Sequence, residues 1–359
     1  MEDQSNTIFT VLKHPFDEEK QFSCSIPLNA ETNTLFEVIC TYDEGLSDKN
    51  LRFLVNDILL VTSIEEHCEK FDISTEETLT IVAFEPELIP ENHTKISQPD
   101  WISRIKSNDE FLMVGCFDGT FNVYDTDLNE VFSHTFESRI VDFVLIDIDL
   151  YVLLEEGYFV KYDTDRHKER TRLSLSILPT SIAVCEKLIL IGDESGNISF
   201  ISTSSGNVLV VRNVSSSPIV RIFIHNEEFY AVSDALTRFS LQDSVRLSSL
   251  ALKTSTHADI NTKDSLFAVS TCDGRVCVVT HGERKMVSRS VHSGFPVATF
   301  TNQGVVTCDY DGVLRVFSEK AIVPLSEANI AHGKVFDITT FNGSIALGGE
   351  DRTLHVLHK

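Results

Sequence analysis

Short catalytic signatures are missing from this chain. No phosphate-binding loop, HExxH, GxSxG or strand-borne dinucleotide fingerprint occurs, so the common nucleotide, zinc-protease and serine-hydrolase chemistries have no carrier. Basic residues are scarce as well, with 30 Lys and Arg against 54 Asp and Glu for a net charge of −24. Affinity resting on a phosphate backbone needs clustered cations, so nucleic acid is disfavoured as the main ligand. A strongly acidic surface instead favours basic or metal-bearing partners. No apolar run reaches the roughly 18 residues that a membrane-spanning helix requires. The N-terminus MEDQSNTIF lacks a basic start followed by an apolar stretch, so no secretory signal is expected.

Cysteine is present but unpatterned. Eight cysteines are scattered with no Cys-x-x-Cys pair, and most sit inside apolar strand-like runs such as VCVV around Cys277. Buried free thiols in a reducing compartment follow from this, rather than a zinc site or a disulfide framework. On that reading the sequons at Asn92, Asn197, Asn213 and Asn342 carry no glycan. The 359 residues, 42% of them apolar and 24 of them Phe, are too many for one small core and enough for two.

The first unit is expected over residues 1–90, where 19 acidic residues face five Lys or Arg. Phe22, Cys24, Ile26 and Leu28 alternate with polar neighbours, as a half-buried strand does. A helix follows with Leu35, Ile39 and Tyr42 on one face, Thr34 and Glu37 at capping-box spacing, and Gly45 past its end. A hairpin across Asn56-Asp57 comes next. Ser63 to Glu66 is a second capping box, opening a short helix with Ile64, Cys68 and Phe71 on one side. Leu79, Ile81 and Ala83 mark a last strand. Two strands, a helix, two strands, a short helix and a strand is the order of a ubiquitin-like β-grasp, an α+β fold. The unit ends at Leu88-Ile89-Pro90 without a Gly-Gly tail, so it is not expected to be a conjugated tag.

Pro86, Pro90 and Pro99 bracket a linker, assigned to residues 91–99. Beyond it the chain repeats. Turn signals fall at Asp118-Gly119, Glu156-Gly157, Ser195-Gly196, near Ala235-Leu236, Asp273-Gly274, Asp311-Gly312 and Asp351-Arg352, spaced 38, 39, 40, 38, 38 and 40 residues apart. A period near 40 with four short strands per unit indicates a WD-type β-propeller, and seven turns indicate seven blades over residues 100–359. The Trp-Asp dipeptide has decayed to Tyr124-Asp125 and Tyr162-Asp163, with Phe317 or aliphatics in later blades. The last repeat offers three strand-like runs, so the linker around Glu91–Ser97 is expected to supply its outer strand.

Other polar clusters read as structural. His134, His292 and His332 are expected to bond within their blades. Glu65, Glu66 and Glu69 beside His67 read as the solvent face of a helix rather than a metal site. Arg166-His167-Lys168-Glu169-Arg170-x-Arg172 is the one basic cluster, either a solvated outer loop or a contact for an acid or RNA phosphate.

Taken together, the RFLVNDILLVTSIEEHCEKFDISTEETLTIVAFEPELIP stretch, Asp100-Trp101-Ile102-Ser103 with Phe117-Asp118-Gly119, and His332-Gly-Lys-Val-Phe336 with Gly349-Glu-Asp-Arg352 resemble the WD repeat-containing protein 12 family. These are ribosome-assembly factors with a notchless-type N-terminal domain. The resemblance implies a non-enzymatic role in maturation of the large (60S) subunit in the nucleolus and nucleoplasm. It further implies that the propeller docks on the block-of-proliferation protein and pescadillo, while the head is gripped by the AAA ATPase midasin. In the family, a Glu after Ser-Ser/Thr completes the metal shell of midasin's adhesion site. Aligned without gaps, that residue is Glu76, preceded by Ser74 and Thr75 and followed by Glu77, which takes the role if the register slips by one. The cation, Mg²⁺, would belong to the partner. Asp72 stands where the family usually has Gly. The rival reading is a substrate adaptor in ubiquitin or proteasome signalling, which a ubiquitin-like head beside a propeller also suits.

Overall fold

The fold is taken from a computed structural model that describes residues 7–17, 19–56, 58–85, 89–90, 92–261, 265–280, 284–288, 292, 294–301, 304–317 and 324–358. Asp57, Pro86, Leu88 and Glu91, placed by the sequence in turns and the linker, lie outside those residues. The chain separates into two compact units, Met1–Leu88 with Val316–Ser326, and Ile89–Arg315 with Glu327–Lys359.

In the head, β1 (Thr7–Lys13) and β2 (Gln21–Pro27) form an antiparallel hairpin. Helix α1 (Thr32–Tyr42) leads to β3 (Arg52–Val55), β4 (Ile58–Leu59), α2 (Ile64–Phe71) and β5 (Leu79–Phe84). The sheet order is β2-β1-β5-β3-β4, with β1 and β5 parallel and the other neighbours antiparallel. Period-two alternation puts Ile8 and Leu12 of β1 and Leu79, Ile81 and Ala83 of β5 on the same face. Leu35 and Ile39 of α1, with Ile64 and Cys68 of α2, pack on that face as one core. Burial of each large aliphatic here is worth roughly 1.5–3 kcal/mol.

The first helix departs from its expected start. It opens at Thr32 with Glu31 as N-cap and no side-chain cap, and the Leu35 amide already bonds to the Glu31 carbonyl at 3.1 Å. Thr34 therefore lies inside the first turn, and the Thr34–Glu37 capping box does not form. Tyr42 has rotated off the core face and stacks on Phe22 with ring centroids 4.5 Å apart. The second box holds in its essential half, with the Ser63 hydroxyl accepting from the Glu66 amide at 3.3 Å.

The second unit is a set of seven four-stranded antiparallel sheets, the blades of a β-propeller. Six blades each use four consecutive strands. In the seventh, Val335–Phe341, Ser344–Gly349 and Thr353–Leu357 are joined by β6 (His93–Ser97), which pairs antiparallel to Thr353–Leu357 with His93 opposite Leu357 and Ser97 opposite Thr353. The innermost strand of each blade packs on that of the next, and the seventh on the first, so the ring closes.

Small residues set how closely blades approach. A Cβ at Gly115, Gly192 or Gly348 would lie 2.8, 2.6 and 2.4 Å from Ile140, Ile219 and Ile102 of the following blade. In place of the missing Trp, Tyr124 and Tyr162 are buried between blades, and the Tyr124 hydroxyl accepts from Gln98 Nε2 at 2.8 Å. His292 bonds within its blade as expected, to Thr307 at 2.9 Å. His134 and His332 do not. His134 lies on the outer strand of blade one and meets Tyr162 of blade two at 3.3 Å. The ring of His332 is exposed, and its backbone amide is what donates to Asp351, at 3.2 Å. The degraded turn of blade four falls at Ser233-Asp234, because Ala235 already begins the strand Ala235–Ser240.

Inside the ring, the first strands carry a buried charge network. Lys106 Nζ lies 2.7 Å and Arg104 Nε 3.5 Å from Asp142, while Arg221 and His257 reach Asp337 at 3.1 and 2.7 Å. The same carboxylates cross between blades: Asp337 accepts from the Ile105 amide and Asp142 from the Ile182 amide, each at 2.9 Å. Burial alone would raise the Asp337 carboxyl, but Arg221, Arg104 and His257 outweigh it and hold it well below the ordinary 3.8. A depressed carboxylate contributes stability above the unfolded value of about 4 and loses it as pH falls through the folded one. Asp337→Ala is expected to cost about 3–5 kcal/mol, since it leaves buried cations uncompensated. Urea unfolding at pH 7 tests this; a loss under about 1 kcal/mol would mean the network does not hold the blades.

Candidate functional site

The loop between α2 and β5 is fixed at both ends by the core. At its start, Ile64 and Cys68 anchor α2, whose last turn closes on Asp72 in the left-handed conformation, φ 54° and ψ 44°. The Ile73 amide returns to the Cys68 carbonyl at 2.9 Å, and Ile73 packs against the core. At its end, buried Leu79 opens the central strand β5. Between these anchors, Ser74, Thr75, Glu76, Glu77 and Thr78 are all exposed.

Within the loop the Ser74 hydroxyl accepts from the Glu76 amide at 3.3 Å, a local turn that Ser and Thr form readily. That bond engages Ser74 internally and sets the direction in which residue 76 leaves the backbone. The carboxylates of Glu76 and Glu77 make no hydrogen bond or ion pair among the described residues, so both are available to an external cation. The four residues proposed from the sequence, Ser74 to Glu77, are consecutive and all lie exposed on this loop.

The neighbouring acids form no second site. His67 is buried while Glu65, Glu66 and Glu69 point to solvent, and no cluster of three or more metal-ligating side chains occurs among the described residues. The basic run is a loop only in its first half, where Arg166 and His167 lie in a turn. Its second half forms the outer strand Lys168–Ser174, where Arg170 is held by Asp163 and by Asp149 (3.0 Å), and Arg172 by Glu137 and Glu169. With its guanidinium groups neutralised by carboxylates, this strand offers little to a phosphate.

Sequence reasoning missed the channel network. A signal was there: Ser103, Asp142, Ser181 and Arg221 stand 39, 39 and 40 residues apart, polar residues recurring inside apolar first strands. Ser103 bonds to the Ile140 carbonyl of the next blade at 2.6 Å, and Ser181 accepts from the Ile222 amide at 3.0 Å.

No family model matches the chain. It is 27% identical over 139 residues to a ribosome biogenesis protein WDR12 homolog from Drosophila erecta, a match covering 38% of this chain and 32% of the relative. The WDR12 homolog of Aedes aegypti is 27% identical over 124 residues, 32% of this chain and 29% of the relative. Over about a third of its length the chain is similar to the WDR12 ribosome biogenesis proteins. The matched region spans about a third of the length of those curated relatives. Among solved structures, a computationally designed protein, Ika8, aligns with TM-score 0.58 at 13% identity, covering 73% of this chain and 98% of that one. That likeness concerns the fold alone.

The left-handed residue explains why glycine suits position 72, which any side chain occupies under strain. Asp72→Gly is expected to leave stability within about 1 kcal/mol, whereas the β-branched Asp72→Val should lose about 1–2 kcal/mol. Chemical denaturation of the two variants checks this, and equal midpoints would contradict it.

Proposed function

We propose that this chain is a non-enzymatic assembly factor for the large (60S) ribosomal subunit, working in the nucleolus and nucleoplasm. In this reading the head is a ubiquitin-like β-grasp domain that serves as a handle for midasin. The propeller is a platform that docks on the block-of-proliferation protein and pescadillo. Support comes from the WDR12 relatives, from the β2-β1-β5-β3-β4 order with its parallel central pair, and above all from one observation. An exposed Glu76, whose carboxylate has no partner among the described residues, projects from a loop whose ends, Ile73 and Leu79, pack into the core.

The chemistry suits that role. Mg²⁺ is a hard cation that keeps oxygen ligands and is commonly held by one or two carboxylates with hydroxyls and water, leaving room for a ligand from outside. Glu76 would supply that oxygen. The anchors Ile73 and Leu79 and the Ser74–Glu76 turn limit the freedom lost on docking, which is where affinity is otherwise spent. Glu77, one residue on, adds negative charge near the cation without sharing the turn that aims Glu76. A coordinate bond of this kind can bear load yet dissociate, as release by a motor requires.

The test is binding of the full chain to a purified midasin adhesion-site domain with Mg²⁺ or with EDTA. Glu76→Ala and Glu76→Asp are expected to weaken the Mg²⁺-dependent binding by at least about tenfold, roughly 1.4 kcal/mol, with the melting temperature unchanged. Wild-type affinity in Glu76→Ala, or binding indifferent to EDTA, would refute the assignment. Loss confined to Glu77→Ala would move the ligand by one residue.

A further inference from the structure

The strand that completes blade seven is tied to its neighbour by histidines. His93 of β6 and His355 of Thr353–Leu357 stand 262 residues apart in the chain. The outer strands of the other six blades follow their neighbours in sequence, so the chain itself keeps them close. β6 has no such tether, and only its five residue pairs and the side chains along the seam hold it in place.

Three imidazoles occupy that seam. His93 Nε2 and His355 Nδ1 are 2.9 Å apart, His355 Nε2 reaches Asp351 at 2.7 Å, and His358 Nε2 meets the Thr94 hydroxyl at 2.7 Å. His355 is 1% exposed, while His93 and His358 are half-buried. Asp351 fixes the proton order. Its carboxylate accepts from His355 Nε2, so a neutral His355 has a bare Nδ1, which accepts from the Nε2–H of His93. One added proton still leaves a donor facing an acceptor, whichever ring carries it. A second proton makes both facing nitrogens donors. The bond between the strands is then lost, and two like charges are held together where water reaches poorly. The surrounding groups add to that cost. His355 and His358 face His93 from the neighbouring strand and its end, and Lys95 from its own strand; together with burial, the largest cause, they hold His93 below its ordinary pKa. Asp351 acts from behind His355 and already accepts from the amides of His332 and Thr353.

We propose that the His93–His355 pair, with His358 beside it, is a protonation-sensitive latch: the neutral or singly protonated pair closes the ring, and the second proton releases β6 from blade seven. A histidine whose folded value is depressed contributes stability above its unfolded value, about 6.5, and loses it as pH falls through the folded one. Release is therefore expected on the acid side of about 6.5, above the range near 4 where ordinary carboxylates begin to protonate. The latch stands apart from the head loop and from its metal.

The test is amide hydrogen exchange of the full chain at about pH 8 and about pH 5.5, corrected for the intrinsic rate at each pH. In the wild type, protection of Thr353–Leu357 is expected to fall at least about tenfold at the lower pH. His93→Gln should hold it within about twofold, because the amide donates to His355 Nδ1 without titrating. The strand Glu228–Val232 of blade four should stay protected in both, which marks the opening as local. A reading on the unaltered chain comes from NMR of labelled histidine rings. The His93–His355 pair is expected to take up its second proton below the ordinary histidine range, in step with the loss of protection. An equal loss in His93→Gln, no loss in the wild type, or a pair that binds both protons while Thr353–Leu357 stays protected would each overturn the latch.

Discussion

The antiparallel pairing of His93–Ser97 with Thr353–Leu357 is the constraint on which the propeller depends. Each blade is positioned only by its two neighbours, so the ring keeps its geometry because the last sheet is completed by a strand from the other end of the propeller sequence. Without it, the strand Thr353–Leu357 would be an open edge of the kind that sheet proteins avoid. The closing strand is reinforced at the end where the chain arrives from the head. The His358 amide bonds to the Asn92 carbonyl at 2.9 Å, His93 to His355 at 2.9 Å, His355 to Asp351 at 2.7 Å, and Thr94 to His358 at 2.7 Å. Burial, with His355, Lys95 and His358 adding to it, holds half-buried His93 below its ordinary pKa, which favours the neutral ring at this junction.

The two units divide the labour of charge. The head exposes Glu76 and Glu77, whose carboxylates have no partner among the described residues and can meet a cation from outside. The propeller buries one set of charges in the ring and pairs them, Lys106, Arg104 and Arg221 with Asp142 and Asp337. Paired and hydrogen-bonded across blades, those groups are committed to holding first strands in register. Buried networks of this type are costly to form and costlier to break.

The period of the propeller was readable because its turns need a special backbone. Gly119, Gly157, Gly196, Gly274 and Gly312 all take positive φ, a conformation other residues adopt at a cost, so the glycines survive as markers where the Trp-Asp pairs have not. Where glycine is absent the reading blurs: Arg352 takes φ 57° itself, and the turn of blade four shifts to Ser233-Asp234. The loop at 74–77 was legible because the helix before it and the strand after it have clear apolar periods. The capping of α1 was not, since a helix can begin wherever its core residues demand, and burial of Leu35 set the start at Thr32 rather than at the better capping residue. Side-chain networks that join blades forty residues apart also escape a local reading.

Amide hydrogen exchange at Thr353–Leu357, compared between the full chain and a chain beginning at residue 98, tests ring closure most directly. Closure by β6 predicts that the amides of Thr353–Leu357 facing β6 are protected in the full chain and exchange far faster once residues 1–97 are gone. Loss of protection should then spread to the innermost strands of blades one and seven, Ile102–Ser107 and Val335–Phe341. Unchanged protection in the shortened chain would contradict the account, for it would mean that the ring is held shut by something other than its borrowed strand.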